Sequence, residues 1–360
     1  MGFAKYKLLL APLLPLLWLY RAVIALRNFC YDHNIFKSKK LSTFVISIGN
    51  LSMGGTGKTP LTIFLATALR DQGWKVAIVA RGYRREKSGL VVVSDGKQIL
   101  AGIAEAGDEP MLMAQACEGI PVIVDRQKLN AARAAVERFA PDVILVDDGF
   151  QHRQLHRDID IVMLDATTPL SNAWLLSGIM LREPASALRR ADFIIINESS
   201  QGDDLPSQPL FEQSRRYTSV AIFSGKLQAT NWRELPPNKA GEILPLDFIK
   251  DQPVLLVSGI ARPESFRRLV EAHGARVQGE LTFGDHHRYD EKDVRLMATA
   301  FKTCGARYVL ATPKDAVKLA KLRAAETALP IFILETAFEV EPAFFPALLE
   351  KLRSPKIAPS

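Results

Sequence analysis

Apolar positions along this chain fall into short unbroken runs that end at glycine or an acid, and between them lie stretches where apolar residues recur every three or four positions. LSTFVISIGN is such a run, β-branched and apolar, and PLTIFLATALRDQG after it has the helical period and closes at Gly73. The alternation continues. KVAIVARGYRR predicts a strand whose polar end spans Arg81 to Arg85, AGDEPMLMAQACEG a loop and helix, PVIVD a short strand and QKLNAARAAVERFA a helix. DVILVDDGFQH reads as a strand ending in acids, and DIDIVMLDA and ADFIIINES as two further buried strands. Strands apolar on both faces and separated by helices predict a parallel sheet covered on both sides, with ligands at the carboxyl ends of its strands.

The chain has 360 residues, more than one core usually supports, since single cores stop growing near ~250–300 residues. Two stretches rich in turn residues, SSQGDDLPSQP and RELPPNKAGEILP, bracket the expected boundary, placed at 225/226. Beyond it, PVLLVSGIARPESFRRLVEAHG, ARVQGELTFGDHHRYDEKDVRLMATAFKTCG and ARYVLATPKDAVKLAKL read as three strand and helix pairs. LPIFILETAFEV adds a late strand, and RSPKIAPS reads as a frayed tail.

The N-terminus stands apart. Lys5 and Lys7 precede the uncharged run LLLAPLLPLLWLY, which is followed by Arg21, AVIAL and Arg27. A spanning helix needs ~20 apolar residues, and an arginine near its middle costs roughly 2.5–3.5 kcal/mol, which argues against a simple span. A cleaved signal peptide conflicts with the nucleotide loop described next, because secreted compartments lack ATP and GTP. A buried core helix is the plain alternative. The expected arrangement over 1–35 is a helix lying in the membrane surface, with Trp18 and Tyr20 at headgroup level and its cations on anionic lipid.

With 48% hydrophobic and 24% charged residues the chain is an ordinary folded protein. Cys30, Cys117 and Cys304 are far apart and fit neither a disulfide framework nor a zinc site, which points to a reducing compartment. A formal charge of +7 favours anionic partners, but the arginines are dispersed and no nucleic-acid-binding motif is present.

Between the first strand and helix lies GNLSMGGTGKTP. Gly54, Gly55 and Gly57 let backbone N–H groups converge on phosphate, Lys58 can reach the β and γ phosphates, and Thr59 can ligate magnesium. Ser52 occupies the slot where the standard spacing has its first glycine. VILVDDGFQH matches the second element of such nucleotide-binding proteins, a strand that delivers Asp147 or Asp148 to Mg²⁺, with Gln151 and His152 just beyond. In AGDEP, Asp108 and Glu109 open a helix. They either complement its dipole or serve as a base for a hydroxyl proton with a neighbour near the metal. FGDHHRYD offers Asp285, His286 and His287. ARGYRR and LREP offer Arg81, Arg84, Arg85 and Arg182 for a phosphorylated substrate.

Together these segments resemble the tetraacyldisaccharide 4′-kinases of lipid A synthesis. GNLSMGGTGKTP, ARGYRR, GDEP, VDDGFQHRQLHRDIDIVMLDA, LREP, FSG, SGIARPESF, FGDHHRYDEKD and TPKDAVKL occur in the order of that family over nearly the whole chain. The resemblance implies a P-loop NTPase-type parallel sheet domain over 36–225, a smaller α/β domain over 226–360 completing an interdomain active site, and a membrane-associated helix over 1–35. It implies Mg²⁺-dependent transfer of the γ-phosphoryl of ATP to the 4′-hydroxyl of a lipid-linked disaccharide 1-phosphate, at the cytoplasmic face of the bacterial inner membrane, with no obligate protein partner. On this basis Ser52, Met53, Gly54, Gly55, Thr56, Gly57, Lys58 and Thr59 form the ATP loop, where the family varies at the Ser52 position. Asp108 is the base, paired with His286, while Thr59, Glu109, Asp147 and Asp148 surround the metal. Tyr83, Gln151, His152 and Arg182 are candidates for the disaccharide and its phosphate. Two departures stand out: Pro313 where the family usually has glutamate, and LLSGIM before LREP where a Pro-Ala-Gly pattern is common. The alternative from another class is a membrane-associated switch ATPase of the partition or targeting type, whose signature lysine near the loop start has no counterpart at Ser52 and Met53.

Overall fold

The computed structural model describes residues 14–52, 55–168, 170, 181–198, 208–235, 241–320, 322 and 329–354. Met53, Gly54, LLSGIM, most of SSQGDDLPSQP and nearly all of the RSPKIAPS tail lie outside them. In chain order the elements are α1 (Leu14–Asp32), β1 (Phe44–Asn50), α2 (Lys58–Asp71), β2 (Val76–Ala80), β3 (Val91–Asp95), α3 (Ile103–Ala106), α4 (Asp108–Ala116), β4 (Pro121–Val124), α5 (Lys128–Phe139), β5 (Val143–Asp147), β6 (Ile159–Asp165) and β7 (Phe193–Asn197). There follow α6 (Gln208–Arg215), β8 (Ala221–Glu234), β9 (Ile243–Leu244), β10 (Pro253–Ser258), α7 (Pro263–Ala272), β11 (Arg276–Thr282), α8 (Glu291–Cys304), β12 (Tyr308–Ala311), α9 (Pro313–Leu319), β13 (Ile331–Val340) and α10 (Phe344–Arg353).

All these strands join one sheet in the order β11-β10-β12-β13-β8-β7-β6-β1-β5-β2-β4-β3, with β9 added to β8. Pairing is parallel except for β3 with β4, β8 with β13 and β8 with β9. The central strands are buried along their whole length because helices cover both faces. Ile46, Ile48, Ile78 and Leu145 pack beneath Leu61, Leu65 and Leu69 of α2 and Phe344 and Leu348 of α10. The alternate residues Val45, Ala77, Val79 and Ile144 face Ala131, Ala132 and Ala135 of α5, whose small side chains let the helix approach closely. Each buried leucine contributes about 1.5–3 kcal/mol, so the apolar periodicity of α2 fixes that face against the sheet.

Two strands differ from the sequence-based expectation. VVVSD is an antiparallel edge strand, β3, and β8 runs through the position where the chain was expected to divide. Gly225 is where β8 changes partner: Ala221 to Gly225 pair with β7 in parallel, and Gly225 to Glu234 pair with β13 in antiparallel register.

Helix α1 docks by its polar residues. Arg27 donates from Nη2 to the Gln151 carbonyl at 2.6 Å, Asn28 donates to Glu183 at 2.9 Å, and Arg153 pairs with Asp32 at 2.8 Å. Trp18, Leu19, Val23, Leu26 and Phe29 remain exposed. Among the described residues no helix is long and apolar enough to cross a membrane; the first part of the apolar run expected to form the N-terminal membrane-associated helix lies outside those residues.

Candidate active site

The loop after β1 is pinned at both ends. Asn50, wholly buried, donates through Nδ2 to the Ser52 carbonyl at 2.8 Å and to the Thr56 hydroxyl at 3.1 Å, and Asn197 at the end of β7 donates to the Thr56 carbonyl at 2.9 Å. Ser52 itself is buried and bridges to Leu181. Gly57 has φ +88°, and a Cβ there would lie 2.8 Å from Asn197 Nδ2, so only glycine fits. It opens α2 without a side-chain cap, leaving that helix start uncapped for an anion. The Lys58 ammonium reaches across to Asp148 at 3.5 Å.

β5 lies beside β1 with Asp147 opposite Ile48, which places its terminal acids next to the loop. Asp147 is buried and accepts a hydrogen bond from Thr62 of α2 at 3.3 Å. Burial, then the neighbouring carboxylates of Glu109 and Asp148, push its carboxyl up to about 7. Asp148 has the left-handed φ of +53°. Its two carboxylate oxygens accept from Arg182 Nη1 at 2.8 and 2.7 Å, while Lys128 donates to its carbonyl. Burial opposes ionisation of Asp148, but Lys58, Lys128 and Arg182 outweigh it and hold the carboxyl well below the usual range.

Asp108 and Glu109 open α4 behind Gly107, whose φ of +89° and close approach to the Tyr83 carbonyl exclude a side chain. Both acids meet basic side chains from the far end of the sheet. His286 Nδ1 lies 3.3 Å from Asp108 Oδ2, Lys318 Nζ lies 3.7 Å from the same oxygen, and Lys314 pairs with Glu109 at 2.7 Å. Lys314 and Lys318 stand one turn apart on α9 and so share a face. Burial raises both carboxyls, yet the His286 hydrogen bond and Lys318 bring Asp108 below its ordinary value, and Lys314 and Lys58 do the same for Glu109.

The two histidines of FGDHHRYD part company. His286, with φ +61°, packs edge-on against Tyr83 at 5.2 Å and faces Asp108. His287 bonds Asp293 at 2.8 Å and stacks on Phe283, so it braces the loop. Arg84, also left-handed at φ +56°, donates to the Asp285 carbonyl at 2.8 Å, and Arg288 pairs with Glu86 and with the Arg84 carbonyl. These contacts draw ARGYRR against the DHH segment.

A cleft of about 1770 Å³ runs from the phosphate loop to this junction and is lined by Thr59, Tyr83, Glu109, Asp147, Asp148, His152, Arg182 and His286. Asp108 sits at its edge with 16% of its side chain exposed, behind the lining residues Glu109 and His286. Gln151 lines the cleft but donates its amide to the Asn50 carbonyl at 2.8 Å, bracing the loop. Burial, then Lys128 and Arg157, depress the His152 imidazole to about 4, so it is neutral near pH 7. Of the arginines in ARGYRR, Arg81 and Arg84 line the cleft, whereas Arg85 bonds the Gly89 carbonyl.

Sequence reasoning missed Lys128, Thr62, Asn197, Lys314 and Lys318. The first three come from elements whose facing residues only the fold reveals; the two lysines carry a signal, their spacing of four in PKDAVK. Pro313 sits in the first turn of α9 behind the cap Thr312, a position where proline is well tolerated.

The oxygen donors of Thr59, Asp147 and Glu109 suit magnesium. Among the described residues no cluster of three or more acids, histidines or cysteines forms a metal cage, and magnesium needs only one or two carboxylates when phosphates supply the rest. The raised Asp147 carboxyl, buried among like charges, is the feature a divalent cation would relieve.

The profile of the family described as Tetraacyldisaccharide-1-P 4′-kinase matches residues 9–353. A tetraacyldisaccharide 4′-kinase of Syntrophus aciditrophicus is 39% identical over 331 residues, covering 90% of this chain and 87% of the relative. One from Bdellovibrio bacteriovorus is 39% identical, covering 87% and 90%. The crystal structure of Aquifex aeolicus LpxK in complex with ATP superposes with a TM-score of 0.74 at 30% identity, covering 96% of this chain and 99% of that one. These likenesses do not favour the switch ATPase alternative. The chain therefore belongs to the tetraacyldisaccharide-1-phosphate 4′-kinase family.

Proposed function

We propose that this chain transfers the γ-phosphoryl group of ATP to the 4′-hydroxyl of a tetraacyldisaccharide 1-phosphate, in lipid A synthesis. The observation that carries the reading is the contact of His286 with Asp108, 3.3 Å apart, at the edge of the cleft that holds the phosphate loop. Residues 52–59 cradle the triphosphate, with Lys58 released from Asp148 to the β and γ oxygens. Bound Mg²⁺ would neutralise charge on the transferring phosphoryl. Asp147 and Thr59 would hold it, with Glu109 nearby; Asp148, engaged by Arg182 on both oxygens, orients the site. The acceptor oxygen attacks the γ-phosphorus in line, the bond to the bridging oxygen breaks, ADP leaves, and the hydroxyl proton passes to Asp108. Asp108 is a weak base, and that suits a loose transition state in which orientation of the hydroxyl precedes proton transfer. Tyr83, His152 and Arg182 face the disaccharide and its phosphate, and Gln151 holds the loop beside them.

Under this reading 36–225 form the kinase domain, 226–360 the domain that brings His286, and 1–35 the anchor. The exposed Trp18, Leu19, Val23, Leu26 and Phe29 support a helix lying on anionic lipid of the inner membrane, at its cytoplasmic face, where ATP and a multi-acyl acceptor meet. Asp108→Ala should abolish transfer to a monophosphorylated lipid disaccharide while ATP binding persists; near-normal transfer in that variant sinks the proposal.

A further inference from the structure

We infer that Lys318 is a positioning residue for the reaction, fixing Asp108 so that one of its carboxylate oxygens is presented to the acceptor hydroxyl. The inference rests on the reading of Asp108 as the base.

Lys318 is an unusual residue to find in a core. Its side chain is only 5% exposed, and its ammonium makes two ion pairs, 3.1 Å from Asp315 Oδ1 and 3.7 Å from Asp108 Oδ2, without a hydrogen bond of good geometry. A buried ammonium is costly unless it is paired, so a lysine is kept here against the pull of packing. The ammonium also lies 5.2 Å from the centre of the Tyr289 ring.

The far partner explains why the ammonium stays in place. Asp315 has no exposed side-chain surface, and it accepts from the Thr312 hydroxyl at 2.6 Å, the Tyr289 hydroxyl at 3.0 Å and the Gly259 amide at 3.1 Å. These donors come from the β12–α9 turn, the segment before α8 and the end of β10, so Asp315 is a fixed point. Lys318, one turn further along α9, extends from that point across to α4.

The near partner shows what the reach achieves. His286 and Lys318 both address Oδ2 of Asp108, and no described group bonds Oδ1. A carboxylate with one oxygen clamped by two cationic or hydrogen-bonding groups cannot rotate freely about its terminal torsion, and the other oxygen keeps one direction. His286 alone is a single point of contact on a loop residue with left-handed backbone. Lys318 adds a second from a helix, which is the stiffer support.

The test uses the full-length enzyme with ATP and a monophosphorylated lipid disaccharide. Lys318→Met leaves Asp315 buried without its cation and can unfold the chain, so the informative variant is Asp315→Asn/Lys318→Met, which removes both charges. The expected result is a melting temperature near that of the wild type, a kcat lowered roughly 10–100-fold, the scale of a small misplacement of a reacting group, and KM values for both substrates changed less than about threefold. Added to Asp108→Ala, the same Asp315→Asn/Lys318→Met pair should cause no further loss of whatever rate that variant retains. Recovery of kcat to wild-type level in the double variant, or a further multiplied loss in the Asp108→Ala background, overturns the inference and leaves Lys318 as the mere counter-ion of Asp315. Near-normal turnover in Asp108→Ala alone overturns the base reading itself, whatever Lys318 does.

Discussion

Arg262, just before α7, forms an ion pair with Asp165 at the end of β6, and the Asp165 side chain has no exposure to solvent. The bond joins the segment after β10 to the strand beside the phosphate loop. Among the described residues, Arg262→Ala leaves that buried carboxylate the amide and hydroxyl of Thr167 as its further donors. Urea unfolding should show a loss of about 3 kcal/mol, the low end for breaking one side of a buried pair. Asp165→Asn/Arg262→Ala should regain most of it. Unchanged stability in the single variant contradicts the pairing.

Gly57 tests the loop. Alanine there meets both a left-handed φ, at roughly 1–2 kcal/mol, and a Cβ 2.8 Å from the Asn197 amide that holds Thr56. Titration with a fluorescent ATP analogue should show affinity down by an order of magnitude or more, with the fold retained.

His152 predicts a pH dependence. Its folded imidazole, held down to about 4, stays neutral where the unfolded one, near 6.5, takes up a proton. The contribution is therefore complete above about pH 6.5 and is lost progressively as pH falls toward 4. Comparing wild type with His152→Asn by urea unfolding at pH 7.5 and about 4.5 should show a smaller drop in the variant. Parallel drops rule the shift out.

Asp147 and Asp148 should separate on magnesium. With Asp148 engaged by Arg182 and Lys58, Asp147→Asn is expected to raise the Mg²⁺ concentration for half-maximal rate by about tenfold or more, the scale seen for ligand-sphere changes. Asp148→Asn should chiefly lower the rate at saturating Mg²⁺. The reverse pattern would exchange their roles.

Most of the first half of the sheet was legible in the sequence because buried parallel strands are apolar on both faces, and KVAIVA or DVILVD can be little else. GDEP and FGDHHRYD were legible as chemistry; the residues alone did not separate His286 from His287, the family resemblance pointed to His286, and the fold sets that histidine beside Asp108. β8 escaped notice because its residues alternate between partly exposed and buried around Gly225 and lie next to a turn-rich stretch, so composition suggested a break where the chain continues as strand. Lys128 looks like an ordinary charge on an amphipathic helix; only three-dimensional packing turns it inward.

That unbroken β8 bears on how the active site is assembled. Asp108 comes just before β4 and His286 just after β11, strands near opposite edges of one hydrogen-bonded sheet, yet the two residues meet at 3.3 Å, so their spacing depends on the curvature of the sheet and not on the slack of a tether. A substitution that loosens the β8–β13 rungs, far from any reacting atom, would detune the pair as a warped ruler misreads a length.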